Sequence, residues 1–136
     1  MAVQLNHTIL YATDQDATAR FLTEVLGLPD PTSYGPFRVV QLGNGVSLDV
    51  MQAGRVHSQH YAFLVNEDEF DQIWNRIKER GLTFWADPFH REEGRINTND
   101  GGRGLYWLGP DGHNLEIITV PYGGWPDQDS ASSSGS

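Results

Sequence analysis

The sequence predicts an α+β fold in which one arrangement, a strand, a helix and then two or three strands, occurs twice. Three observations predict it. The order LNHTILYATD, ATARFLTEVLGL, GNGVSLDV returns as SQHYAFLV, EFDQIWNRIKERGL, PDGHNLEII. His7 falls opposite His60, Gly27 opposite Gly81, and Asp49 of L-D-V opposite Glu116 of L-E-I. The offset stays near 53 positions for the first two pairs and becomes 67 at the third, so one insertion in the second copy, between Asp87 and Arg103, accounts for the change. Repeats of this length also arise from a duplicated scaffold alone. Here each copy carries a histidine near its start and a carboxylate near its end. Packed as a pseudo-symmetric pair, the copies would bring four potential metal ligands to one cavity.

Taken in order, Val3 to Ala12 is rich in β-branched and aromatic residues and reads as a strand. Thr13 or Asp14 caps the helix that follows, where Ala17, Phe21, Val25 and Leu28 recur near helical spacing, and Gly27 with Pro29 supplies the stop. Arg38 to Leu42 and Val46 to Met51 read as strands joined by a G-N-G turn. The second copy opens with a strand at Tyr61 to Val65. Its helix covers about Asp68 to Arg80, with Phe70, Trp74 and Ile77 on one face and Gly81 at its end. Leu82 to Trp85, Gly104 to Leu108 and Asn114 to Val120 complete the strands. After Pro121 the composition turns to Gly, Pro, Asp and Ser, which reads as a flexible linker or expression remnant. Tyr122 and Trp125 stand out there as aromatics able to fold back over a pocket or a partner subunit. The expected organisation is one domain over residues 1–122, with module one at 1–53 and module two at 57–122, followed by a tail at 123–136.

Composition bounds the function. With 136 residues and 38% hydrophobic content the chain makes one domain, small enough for dimerisation to enlarge its core usefully. No apolar run reaches the roughly 18 residues of a membrane span, and no basic-then-apolar leader opens the sequence, so a cytoplasmic protein is expected. Zero cysteines exclude disulfides, thiolate ligands and a cysteine nucleophile together, so any metal is held by nitrogen and oxygen. A net charge of −9 argues against nucleic acid, whose phosphates it would repel.

With the repeat stands a final Y-W-L-G-P-D-G-H-N-L-E, in which Tyr106 leads and Glu116 closes. Together they resemble the vicinal oxygen chelate superfamily: glyoxalases, extradiol dioxygenases, fosfomycin-modifying enzymes and bleomycin-binding proteins. The resemblance covers about residues 3 to 120. It implies paired βαβββ modules forming a cupped mixed sheet, with metal ligands at His7, His60 and Glu116. It also implies a homodimer, with each site held within one chain or shared between two, in which case His7 joins the other ligands across the interface.

The residues make a physical case beside the resemblance. Two imidazoles and one carboxylate on a rigid sheet leave coordination positions open on a divalent ion for substrate or dioxygen. Leu115 and Ile117 flank Glu116, and an unpaired carboxylate buried between them would be costly. Asp49 stands either as a fourth ligand, although one methylene shorter than glutamate, or as a residue behind the ligands or facing solvent. In ring-cleaving dioxygenases a T-N-D segment and a tyrosine precede the metal glutamate at spacings similar to those of Thr98-Asn99-Asp100 and Tyr106. By that resemblance Tyr106 and Asp100 line the open side of the metal, the phenol helping a bound substrate oxygen to ionise. The chain departs from the dioxygenase pattern at Asn97, where a histidine is usual, and near Gly45, where another has no counterpart. Of the histidines left to substitute, His113 should face away from Glu116 and His57 should be exposed in a loop, which leaves His90.

The lysine and serine of the fosfomycin enzymes are missing from Ile96 to Asp100. Arg95 and Arg103 offer a pair for a substrate carboxylate, or are solvated. Phe84, Trp85, Phe89, Trp107 and Tyr34 suffice to line a pocket for a ring-shaped ligand, or are ordinary core. The favoured expectation is ring cleavage of a small catechol-like compound by a divalent-metal enzyme with Fe(II) or Mn(II). The alternatives are glyoxalase-type isomerisation or lyase chemistry with Ni(II), Zn(II) or Co(II), and metal-free sequestration of a drug in a dimer crevice.

Overall fold

The structure, a computed structural model, describes residues 2–126, and the expectation of a flexible tail past Pro126 lies outside them. Module one contains β1 (His7–Ala12), α1 (Gln15–Leu26), β2 (Thr32–Tyr34), β3 (Phe37–Gln41) and β4 (Ser47–Gln52). Module two contains β5 (His60–Leu64), α2 (Glu67–Glu79), β6 (Phe84–Trp85), a short 3-10 turn at Asn99–Gly101, β7 (Gly104–Leu108) and β8 (Asn114–Ile118). Each is therefore βαβββ. Each forms its own four-stranded mixed sheet, in the orders β1-β4-β3-β2 and β5-β8-β7-β6, with the first and last strands parallel and the others antiparallel.

Local chemistry sets these boundaries. Asp14, not Thr13, caps α1 by accepting from the Ala17 N–H, while the Thr13 hydroxyl donates to Asp111 of module two at 2.6 Å. Asn66 and Glu69 cap α2 reciprocally, each side chain taking the other's backbone N–H. Gly27 ends α1 in the left-handed conformation at φ 72°, where a side chain would be strained. β1 starts at His7 instead of Val3, because Val3 and Leu5 are exposed and Ser47, opposite His7, is where β4 begins. β2, too short and too exposed to carry a periodic signal, is the strand that patterning misses. The insertion from Asp87 to Arg103 is the long connection between β6 and β7, closed at its base by the paired backbones of Asn97 and Gly104.

Alternation along the strands sorts each sheet into two faces. Leu10, Ala12, Leu48 and Val50 of the first sheet join Leu105, Trp107, Leu115 and Ile117 of the second in one core that includes Leu22 and Val25 of α1 and Phe70, Ile73 and Ile77 of α2. The opposite faces carry the histidines and carboxylates. The modules are also pinned at a seam: the Tyr61 hydroxyl and His113 Nε2 reach the β1 carbonyls of Ile9 and Tyr11 at 3.4 and 2.8 Å, and Arg76 donates to the Val25 carbonyl at 3.0 Å.

Candidate metal and substrate site

Strand register places the four expected ligands in matched pairs. His7 and His60 are the first residues of β1 and β5. Asp49 pairs with Ile9, two residues after His7, just as Glu116 pairs with Ala62, two residues after His60. Each module therefore presents a histidine and a carboxylate on its open face.

Module two assembles the richer half. Glu116 is 1% exposed, and His60 Nε2 lies 3.0 Å from its Oε1. Tyr106, directly opposite Glu116 in the register and 5% exposed, stacks on His60 with centroids 5.9 Å apart. The Tyr122 hydroxyl donates to Glu116 Oε1 at 2.6 Å. Burial, then the hydrogen bonds of Tyr122 and Glu116, push the Tyr106 phenol far above the ordinary tyrosine range, so it holds its proton. Tyr122 is raised as well, by burial first and then by its bond to Glu116.

The donor set fits a divalent ion. His60 Nδ1 is 3.1 Å from the Asn114 carbonyl, which only accepts, so Nδ1 carries a proton and Nε2 is the nitrogen turned to Glu116. A carboxylate oxygen and an imidazole nitrogen facing each other can share a proton or a metal cation. Nitrogen and oxygen ligands each about 2.1 Å from one ion and at a right angle to each other lie about 3 Å apart, which is the observed separation of Nε2 and Oε1. A carbonyl behind a ligand imidazole is also the usual support of such a ring.

His7 and Asp49 do not reach this cluster within the chain. Among the described residues no three potential ligands come together. His7 is exposed on the open face of the first sheet, its Nδ1 2.7 Å from Asn6 Oδ1. Asp49 sits on the same face and accepts from the Ser47 hydroxyl at 2.8 Å.

The remaining candidates separate cleanly. His90, left-handed at φ 61°, stacks on Trp85 at 3.9 Å, and its Nε2 bonds Asn114 Oδ1 at 3.0 Å. Asn114 thus joins His90 to His60. Composition gives no sign of that role; its place opposite His60 at the head of β8 does. Asp100 is exposed in the 3-10 turn beyond Gly104, and among the described residues no hydrogen bond joins it to Tyr106 or Glu116. The Asn97–Gly104 pairing carries that turn off the end of the sheet. His113 is buried away from the cluster, taking the Gln59 N–H on Nδ1 and donating from Nε2 to Tyr11. Arg103 is tied to Glu67 and Asp71 of α2, both at 2.9 Å, and lies over the Phe70 ring. Trp107 and Phe84 belong to the core, whereas Trp85, paired with Tyr106, faces the site. Phe89 and Tyr34 are exposed. A cleft of about 480 Å³ runs beside His60, lined also by Ile9, Tyr11, Arg55, His57 and Tyr61.

Comparison with known proteins places the chain in a family. The family described as Glyoxalase/Bleomycin resistance protein/Dioxygenase superfamily matches residues 4–117, and the chain belongs to it. It is similar to the solved structure of oxidase ChaP-H1, with 64% identity and a TM-score of 0.88 over 90% of this chain and 100% of that one. Oxidase ChaP-H2 is 60% identical, with a TM-score of 0.88 over 91% and 98%. Among curated proteins, the glutathione transferase FosA of Serratia marcescens is 31% identical over 86% of this chain and 81% of its own length. These relatives are enzymes, and one class of them is oxidative.

Proposed function

We propose that the protein is a divalent-metal oxygenase that cleaves the ring of a small catechol-like substrate, using Fe(II) or Mn(II). The observation that carries this reading is the facing pair His60 Nε2 and Glu116 Oε1, 3.0 Å apart on the open face of the second sheet, beside a protonated Tyr106. Similarity to two oxidases supports oxidation over the other chemistries of the superfamily.

His60 and Glu116 would hold the ion, and His7 of a second copy would join them in a homodimer. The open faces bear exposed apolar residues suited to such pairing, Tyr11 on one sheet and Leu64 on the other. When bound, the ion supplies a Lewis acid for two adjacent substrate oxygens and, as Fe(II) or Mn(II), electrons for dioxygen chemistry. Tyr106 donates its hydrogen bond to a substrate oxygen and stabilises the anion left as that oxygen ionises. The stacked Trp85 and His90 give a flat wall for the ring, and Asn114 fixes His60 on one side and His90 on the other. Glyoxalase-type chemistry would call on a carboxylate base, the role expected of Asp49, which accepts from the Ser47 hydroxyl on one oxygen.

Loading the protein anaerobically with Fe(II) or Mn(II), adding catechols and then admitting ¹⁸O₂ tests the reading. Ring-opened product carrying both labelled atoms supports it, with Tyr106→Phe lowering kcat by about 10²-fold. Turnover without oxygen uptake points to lyase or isomerase chemistry. If Glu116→Ala leaves ligand affinity intact and no turnover exists to lose, the protein sequesters its ligand.

A further inference from the structure

Tyr122 lies past β8, the last strand of module two, and outside the repeated segments, yet its hydroxyl makes the shortest hydrogen bond to Glu116. β8 ends at Ile118, and the chain then turns at Pro121–Gly124, where the Gly124 N–H returns to the Pro121 carbonyl at 2.8 Å. Gly123 and Gly124 adopt φ of 78° and 90°, values that L side chains rarely tolerate. That turn brings residue 122 back over β8. Its ring remains 66% exposed, while its hydroxyl reaches a carboxylate that is 1% exposed.

The contact has a directional consequence. Each carboxylate oxygen offers two lone-pair directions. Glu116 Oε1 gives one to the Tyr122 O–H and turns the other toward His60 Nε2. No lysine or arginine among the described residues forms an ion pair with Glu116, so its orientation depends on neutral donors and on His60. Were the phenol removed, a carboxylate with freedom about its last torsion would lose the constraint that aims it at the imidazole.

We propose that Tyr122 is a positioning residue of the metal centre: its phenol, delivered by the C-terminal turn, orients Glu116 so that its free lone pair meets the ion shared with His60. This rests on the metal centre proposed above. The ring stays as a cover over the site, and the hydroxyl supplies the alignment, so the two contributions separate by substitution.

Co(II) is the probe, its affinity measured by competition with a chromophoric chelator and its ligand field read from the visible absorption bands. Tyr122→Phe keeps the ring and should bind Co(II) about 10–100-fold more weakly, the usual cost of losing a group that supports a ligand. Its Co(II) bands should shift while its far-ultraviolet circular dichroism without metal matches that of the unsubstituted protein. A chain ended after Val120 should show the same loss. Wild-type affinity and bands in Tyr122→Phe would overturn the proposal while leaving the metal centre standing, and tighter binding would overturn it too, making the phenol a competitor for the carboxylate. If the unsubstituted protein binds no Co(II), the metal centre itself fails and this inference falls with it.

Discussion

Glu116 is a carboxylate fully enclosed by a strand of apolar neighbours, a stacked histidine and two phenols. Such a group is costly to keep charged without a partner, and a bound divalent ion would offset that cost. Replacing Glu116 or His60 by alanine should therefore lower metal affinity by more than the roughly 100-fold expected from losing a supporting group, measured by elemental analysis after equilibrium dialysis. Tyr61, Tyr106 and Tyr122 are all raised above the ordinary tyrosine range, burial being the first cause for each. The sign follows: unfolding frees these phenols to ionise near pH 10, so the stability they contribute is whole below that pH and is lost as pH rises through their folded-state values. In a titration followed at 295 nm the folded chain should show fewer ionised phenols at about pH 10.5 than the chain in denaturant, where all five titrate. Equal numbers would show that the three phenols are not withheld from solvent.

At the scale of elements, much was legible because hydrophobic period and capping chemistry agree. α1 and α2 fall within a residue or two of their sequence-based limits, and the repeat of His and carboxylate is matched by strand register. What escaped has physical reasons. β2 is three exposed residues with no alternation, and β6 keeps only Phe84 and Trp85 because Leu82 and Thr83 have no partner strand. Asp100 looked like a site residue from its spacing to Tyr106, but spacing along an insertion says nothing of how its base is tied. The repeat also hides an asymmetry. Gly27 and Gly81 match in sequence, with φ of 72° and 68°, yet a Cβ at Gly27 would meet Arg76 Nη1 at 2.8 Å, whereas at Gly81 it meets nothing within 4 Å. Arg76 is held to the Val25 carbonyl. Gly81→Ala should cost about 1 kcal/mol for the left-handed backbone, and Gly27→Ala about 1 kcal/mol more for the displaced guanidinium, by urea denaturation. Equal costs would mean that Arg76 moves freely. Likewise His113→Ala removes two hydrogen bonds and a buried ring from the seam and should cost about 2–4 kcal/mol without changing metal affinity; a loss of metal would tie His113 to the site instead.

At the scale of the whole molecule, the candidate ligands fall into two groups, one on each sheet. His60, Glu116 and Tyr106 gather on the second sheet, His7 and Asp49 on the first, and no set of three ligands forms among the described residues. In the homodimer proposed above, a second copy with its first module facing this chain's second would complete both sites by one two-fold operation. The sequence pairs His7 with His60 and Asp49 with Glu116 but does not say whether one chain or two supply a site, because that depends on module packing and not on periodicity. The measurement that tests this most directly mixes two inactive variants, His7→Ala and His60→Ala, under conditions of subunit exchange and counts bound metal. A shared site predicts that each variant alone binds none, and that the mixture recovers about a quarter of the wild-type metal, since about half the dimers are mixed and each has one intact site. A mixture that binds no more metal than its parents, while the unsubstituted protein binds one ion per chain, would contradict the shared centre.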